Sequence, residues 1–497
     1  MIRSKPVSEK FCKGALRFSS SKVHIAGHGW TGALGTGAET MTSSQTSSVS
    51  PSDRDNSFHA LPSPPFDNVV NAAAGWGHTV IVKQEEDVDK IYVAGRPYDF
   101  QTLLRFYRMP EVVRRFSTRQ SLLFERNGDP GFFGKVADYF LANTKEEDAE
   151  EKYRCSIFPE FTEIQLPEGD VPMRGDCYHQ KTLSASAGLT AILGKSEGRV
   201  YTFGINQRGQ CGTGDRTAHH IWEPTPVILK TGETLEGVIG DPLTDITNVD
   251  LGLQHGIALD RDGKLYGWGK GSRGQLGRSK FKSEDVSDGI ESSVDIEFGA
   301  IPINDFIIGT ATSTNQLTGN CARVRNISAG WNHSAAITES NHVFCWGKNA
   351  MAKLAKDGIL KAVDAPAPTP VQGLPLDMEV RDVACGSHHS SILMEDGSVY
   401  AIGITTDTAE PIGERAVQII PPGLIDTPIK QFSSHFDRTT IIAGDNNEQV
   451  IEVQLWSTDE LRNSALFEPE WVETLTADDS TIQMVHRGWL HTLVTTN

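Results

Sequence analysis

Short runs of alternating apolar and polar residues, each closed by a tight-turn dipeptide, recur along the chain and predict β-hairpins in series. Four segments show the pattern almost without gaps: 183–214, 246–277, 324–355 and 380–403. The shared pattern opens with a Gly, three residues and a Ser/Thr or equivalent. A short apolar strand, a turn and a V/L-Y-x-x-G-like end then follow. The turns are Glu197-Gly198, Asp262-Gly263, Ser340-Asn341 and Asp396-Gly397, the kind that connect two strands tightly. Framing glycines at 188 and 204, 252 and 269, 330 and 347, and 386 and 403 lie 16, 17, 17 and 17 positions apart. Such regularity marks an internal repeat.

Weaker copies extend the series. One is 69–82 followed by 91–95. Another is 429–444 with 450–456, where His435 replaces the expected Gly and Arg438 the expected His. The two ends complete each other: 482–497 holds the first half of a repeat and 23–37 the second. Joined, they make a seventh copy. The expectation is all-β, a seven-bladed β-propeller closed by pairing of N- and C-terminal half-repeats, since closure removes exposed strand edges.

Composition agrees with one large β assembly, although 497 residues alone suggest about three domains. Gly is 47 and Pro 24, and aromatics are 8%, a turn-rich and globular balance. Mean hydropathy is −0.31, and no apolar run approaches the ~20 residues of a membrane span. With 46 Lys+Arg against 64 Asp+Glu the net charge is −18, so any nucleic-acid contact needs a local basic patch. The 7 cysteines are scattered without a C-x-x-C pair, which argues against a zinc site and for a reducing compartment.

Residues 1–22 stand apart. They carry Arg3, Lys5, Lys10, Lys13, Arg17 and Lys22 against Glu9 alone, and Val7, Phe11, Ala15 and Phe18 fall on one helical stripe. Basic, acid-poor and amphipathic without an apolar h-region, the segment reads as a mitochondrial transit peptide. The bland alternative is a frayed basic tail.

Three departures interrupt the repeats: a flexible Ser/Thr/Pro-rich stretch at 38–66, a helical insertion in the second blade at 96–182, and a loop at 278–322. The insertion concentrates Arg105, Arg108, Arg114, Arg115, Arg119 and Arg126 among Leu and Phe, then turns acidic at 146–151. The Arg cluster is a candidate docking surface for RNA phosphates, an anionic head group or an acidic GTPase face. The bland reading is a solvated face paired with the acidic run.

The residues that recur with the repeat are Gly75, His78, Gly252, His255, Trp268, Gly269, Gly330, His333, Gly386, His389, Gly488 and His491. Histidines at one repeat position invite a metal or acid–base reading. Packing within the blade explains them better, and the spacing of blades keeps most of them too far apart to share one ion. Carboxylate pairs, a nucleophile elbow, a Walker A loop and metal spacings are absent from the sequence. No catalytic residue, cofactor or metal is expected, and no covalent catalysis.

The string from Gly252 to Gly277, with Trp268, Gly269 and Gly274-Gln275-Leu276-Gly277, resembles the repeat of the regulator of chromosome condensation family. The resemblance covers most of 23–37, 69–95 and 183–497 and implies the propeller. The family spans exchange factors, ligase-associated propellers, a plant ultraviolet-B receptor and scaffolds, so fold does not settle function. The receptor's G-W-R-H-T repeats are not reproduced, because Trp76, Trp331 and Trp489 are followed by Gly77, Asn332 and Leu490. With its basic leader and Gly32 to Gly35, the chain is most like the mitochondrial exchange-factor-like branch. That branch implies exchange on a small or dynamin-type GTPase and support of mitochondrial large-subunit assembly, with ribosomal RNA or large-subunit proteins as partners, in the matrix or at the inner membrane. The alternative is a cytosolic or nuclear adaptor propeller, including exchange on a Ran-like GTPase.

Overall fold

The computed structural model describes residues 22–27, 59–60, 68–95, 158–175, 179–235, 237–278, 296–304, 306, 322–354, 358–405, 410–425, 428–444, 449–455, 466–467, 471–476, 481–488 and 491–496. They form seven sheets, one per repeat, and the fold is a seven-bladed β-propeller.

From the inner strand outward, blade 1 is Ile482–Arg487, His491–Thr496, Lys22–Gly27 and His59–Ala60. Blade 2 is Val69–Ala74, His78–Glu85, Val88–Gly95 and Phe158–Ile164. Blade 3 is Leu183–Ala185, Leu189–Leu193, Val200–Ile205 and His220–Pro226. Blade 4 is Ile246–Leu251, His255–Asp260, Leu265–Lys270 and Ile296–Ile303, extended by Ile228–Glu233 and Val238–Pro242. Blade 5 is Val324–Ala329, His333–Thr338, Val343–Leu354 and Leu360–Pro370. Blade 6 is Val380–Cys385, His389–Met394, Val399–Gly403 and Val417–Ile420. Blade 7 is Ile429–His435, Arg438–Ala443, Gln449–Gln454 and Leu466–Phe467. One short helix, Trp471–Thr476, is described beside them.

The half-repeats join as the sequence implies: Lys22–Gly27 pairs antiparallel with His491–Thr496, Lys22 opposite Thr496 and Gly27 opposite His491. The strand begins at Lys22, the last residue of the expected leader. The altered copy at 429–456 is a full blade.

Each of the three supposed insertions contains its blade's fourth strand. Phe158–Ile164 lies inside 96–182, Ile296–Ile303 inside 278–322, and His59–Ala60 inside 38–66. A fourth strand is held by backbone pairing, so it needs none of the repeat's side chains and escapes self-comparison. The stretches expected as helices, 100–126 and 132–153, lie outside the described residues.

Contacts divide the chain into two compact units. One holds blades 1 and 2 with 185–190, and its core joins Val23, Ile25, Val69, Ala72, Ile81 and Leu493. The other holds the rest of blade 3 and blades 4 to 7. Its largest core cluster runs from Ile257 through Trp346 to Ile402, with Phe306 edge-on to Phe344 and Trp346 at 5.3 and 5.8 Å. Second strands such as His255–Asp260 and His333–Thr338 are buried at every position, because each lies between two strands of its own sheet and is covered on both faces.

Candidate partner-binding site

The recurring glycines and histidines serve the joints between blades. Gly252, Gly330, Gly386 and Gly488 each place the Cα where the imidazole of the His three residues on packs, so a Cβ has no room. Except at His389, whose Nε2 makes no hydrogen bond, the imidazole Nε2 at this repeat position then reaches the following blade. His255 meets Ser334 Oγ at 2.9 Å, His78 meets Thr190 Oγ1 at 2.9 Å, and His491 meets Thr79 Oγ1 at 2.8 Å. His333 Nε2 lies 3.1 Å from the carbonyl of His389. A carbonyl only accepts, so His333 carries its proton on Nε2. Burial pushes His78 and His255 down to about 4, and His333 and His389 to about 3. These rings are neutral at pH 7, and each Nδ1 faces a glycine rather than a ligand. Among the described residues no group of three His, Cys, Asp or Glu is placed to hold a metal.

The third blade corrects the repeat alignment. Ser186 N–H donates to the Leu189 carbonyl at 2.9 Å, as Gly252 N–H does to His255 at 2.8 Å. Ser186 therefore holds the Gly position and Leu189 the His position, two residues ahead of the framing assigned to Gly188. Where the ring is lost, the glycine is lost with it.

Trp268 is fully buried, and its Nε1 donates to the Gln210 carbonyl at 2.9 Å. Trp346 Nε1 donates to the Gln275 carbonyl at 2.8 Å. The indole thus locks onto the G-Q-x-G turn of the preceding blade. Gly269 sits opposite His255 with φ +92, a conformation that only glycine adopts freely.

The inner strands of blades 4 and 5 share a buried polar network. Asp250 accepts from Lys181 Nζ at 2.6 Å, Ser184 Oγ at 2.9 Å, Ser328 Oγ at 3.2 Å, and the Leu251 and Ala329 N–H groups at 3.0 and 2.8 Å. Burial disfavours the Lys181 ammonium, but Asp250 outweighs this and holds its pKa above the ordinary value. With five donors on one carboxylate, Asp250 has no lone pair left for chemistry. Its work is to tie strands together.

An element absent from the repeat pattern is better placed to meet a partner. Ile228–Glu233 and Val238–Pro242 form an antiparallel hairpin, and Leu229 pairs in parallel with Ala300 on blade 4's outer strand. Its root is anchored by charge: Glu297, nearly buried, takes Lys230 Nζ at 2.8 Å and also Arg278, while Arg216 holds Glu233 at 2.8 Å. At the tip Leu235 is 101% exposed, and Ile239 is 55%. Apolar side chains held out on an ordered strand pair suit a protein partner. The readable signal was a pair of short apolar runs, 227–229 and 238–239, on either side of a Thr-Leu-Glu-Gly turn. It went unread because it lies between two strong repeat copies. Arg105, Arg108, Arg114, Arg115 and Arg119 lie outside the described residues.

Glycines and histidines consumed by packing between blades define a repeat propeller. The repeats are those of the regulator of chromosome condensation: family models match 197–259, 262–337 and 340–393, and also 246–275 and 324–351. The chain is 27% identical to human probable E3 ubiquitin-protein ligase HERC6 over 42% of its length and 16% of that protein. It is 27% identical to the Arabidopsis thaliana ultraviolet-B receptor UVR8 over 45% of this chain and 53% of the receptor. The chain thus spans about half or less of these curated relatives. Among solved structures, human WBSCR16 superposes with a TM-score of 0.58 at 15% identity, covering 96% of this chain and 99% of that one. Prp20p of Saccharomyces cerevisiae, described with its binding properties to Gsp1p and histones, gives 0.54 at 16%, covering 100% and 96%. These likenesses concern the fold.

Proposed function

We propose that the propeller is a guanine-nucleotide exchange factor-like protein for a small or dynamin-type GTPase. The observation that carries this reading is the 228–242 hairpin with Leu235 exposed at its tip. Exchange requires no covalent chemistry: the factor binds the nucleotide-free GTPase more tightly than the loaded one, and linkage then weakens nucleotide binding. An anchored hairpin can supply that differential contact, because it enters a nucleotide site without costly rearrangement of its own. Prp20p, of similar fold, is described with Gsp1p binding. The basic amphipathic leader supports a mitochondrial address. Capture of candidate GTPases on the purified protein, with EDTA and with excess GDP and Mg²⁺, tests the reading. Preferential retention of the stripped form is expected. Equal retention of both forms contradicts exchange.

A second role, in mitochondrial large-subunit assembly, draws on Arg105, Arg108, Arg114, Arg115 and Arg119 within an otherwise acidic chain. Reversing Arg114 and Arg115 to Glu should abolish RNA crosslinking while the propeller stays folded. Unchanged crosslinking removes this role.

A further inference from the structure

The third strand of blade 5 runs 12 residues, against 6 in blade 4 and 5 in blade 6, and a loss of glycines explains why. In blade 4 the chain turns at Gly274-Gln275-Leu276-Gly277, with both glycines at positive φ, +83 and +63. Blade 5 has Ala352-Lys353-Leu354-Ala355 at those positions, and alanine resists that conformation. Its third strand therefore continues to Leu354 and pairs as a ribbon with Leu360–Pro370: Met351 with Val363, Lys353 with Lys361 and Leu354 with Leu360. The next blade is adjusted to this. Trp268 and Trp346 each donate to the G-Q-x-G turn of the blade before. Blade 6 has no such turn to meet, and it carries buried Ile402 at the tryptophan's register, opposite Ser390 as Trp268 is opposite Gly256. The ribbon is thus a built feature of two blades.

Toward its tip the ribbon is layered. Lys353 and Lys361 are both exposed and stand directly opposite each other. Such a pairing sets two cationic side chains on one face, with Cβ atoms about 5 Å apart, and costs stability. Asp364, the carboxylate on the same strand as Lys361, is engaged elsewhere: it accepts from the Asn349 N–H at 2.9 Å and lies 3.6 Å from Arg273. Two residues beyond Lys361 toward the tip, Ile359 is 59% exposed. Beside it, a Cβ on Gly358 would meet nothing within 4 Å. An apolar side chain therefore stands at most about 7 Å farther out along the chain than a pair of cations. Residues 348–361 hold four Lys against one Asp, in a chain of net charge −18. A phosphate backbone would satisfy the lysines and leave Ile359 in water. A bilayer interface satisfies both, because interfacial segments sink an apolar face about 5–10 Å while basic groups stay with anionic head groups.

We propose that the blade 5 ribbon docks the protein on an anionic membrane surface, with Ile359 entering the acyl boundary and Lys353 and Lys361 at the lipid phosphates. No helix among the described residues is long and apolar enough to cross a membrane, and the contact is peripheral. Screening beyond about 8 Å at physiological salt lets a local basic tip decide such a contact although the whole chain is acidic. The ribbon is separate from the 228–242 hairpin, and its test involves no GTPase. The test is flotation of the whole protein with vesicles of phosphatidylcholine mixed with phosphatidylglycerol, and with vesicles of phosphatidylcholine alone. Partitioning onto the mixed vesicles is expected to be at least tenfold stronger and to weaken as NaCl is raised. Lys353→Gln/Lys361→Gln should lose at least tenfold in partitioning, and so should Ile359→Asp. Lys264→Gln, at an exposed lysine beside the Asp262-Gly263 turn, should match wild type. All four side chains are exposed, and far-UV circular dichroism with an unchanged melting temperature confirms that the variants are folded. Equal flotation of wild type and the double variant overturns the proposal, as does no flotation at all or flotation indifferent to phosphatidylglycerol. Loss in the double variant with full retention in Ile359→Asp also overturns it, and assigns the lysines to a soluble polyanion such as RNA or an acidic protein.

Discussion

A Cβ added at Gly75 would stand 2.5 Å from Nδ1 of His78 and 2.7 Å from the Ser186 carbonyl oxygen. The glycine and the histidine three residues later are therefore one device: the ring fills the space a side chain would need, then bonds the next blade through Nε2. Blades 3 and 7 show the same coupling in reverse. Ser186 stands with Leu189, and His435 with Arg438, whose guanidinium turns to buried Glu452 at 3.1 Å.

Filling that space should destabilise the fold. Gly252→Ala is expected to cost about 1–3 kcal/mol by overpacking against His255 and the Gly330 carbonyl. Gly232→Ala, whose nearest neighbour beyond the adjacent chain is Ile239 Cβ at 3.9 Å, should stay within about 0.5 kcal/mol of wild type. Urea denaturation of both variants checks the contrast, and equal losses contradict it.

Removing a hydroxyl partner tests the other half of the device. Ser334→Ala leaves the buried Nε2 of His255 unsatisfied, with a loss of about 1–3 kcal/mol. Trp268→Phe should act similarly by stripping the Gln210 carbonyl of its donor. Thermal denaturation reads both.

Acidification should weaken the protein. An unfolded His titrates near 6.5, whereas burial pushes His78, His255, His333 and His389 down to about 4, 4, 3 and 3. Below about pH 6.5 the unfolded chain takes up protons that the folded chain refuses, so this stability is complete above that pH and lost beneath it. Asp382, pushed up to about 7 by burial against the pull of Lys181, opposes the trend by taking its proton first in the folded state. One carboxyl against four imidazoles leaves the net slope downward. Tm should be nearly flat above pH 7 and fall from pH 6.5 to 5, less steeply in His255→Gln. A Tm that holds constant to pH 5 contradicts neutral buried rings.

Loosening the hairpin's root should free it without unfolding the blades. Lys230→Ala removes one cation from Glu297 while Arg278 remains. Hydrogen exchange across 228–242 should accelerate at least tenfold, with His255–Asp260 unaffected. Uniform acceleration over both segments contradicts local anchoring.

Much of this architecture was legible because the motif residues are the joint residues. Gly252, His255, Trp268 and Gly269 repeat since every blade must meet the next in the same way, and the half-repeats at the two ends declared the closing blade. What escaped carries no such constraint. The outer strands Phe158–Ile164 and Ile296–Ile303 need only backbone pairing. The 228–242 hairpin belongs to one blade alone. In blade 3 the Glu197-Gly198 turn and the Ser186 replacement together drew the alignment to Gly188.

The most direct test of the functional account is release of fluorescent GDP from a Ran-type GTPase and from a mitochondrial dynamin-type GTPase, with wild-type protein and with Leu235→Asp/Ile239→Asp. Both substituted side chains are exposed, so folding is unaffected. The account predicts that one GTPase loses GDP at least tenfold faster with wild-type protein, and that the variant abolishes most of this acceleration. Release that is unchanged for both GTPases, or acceleration that survives in the variant, contradicts exchange through the hairpin.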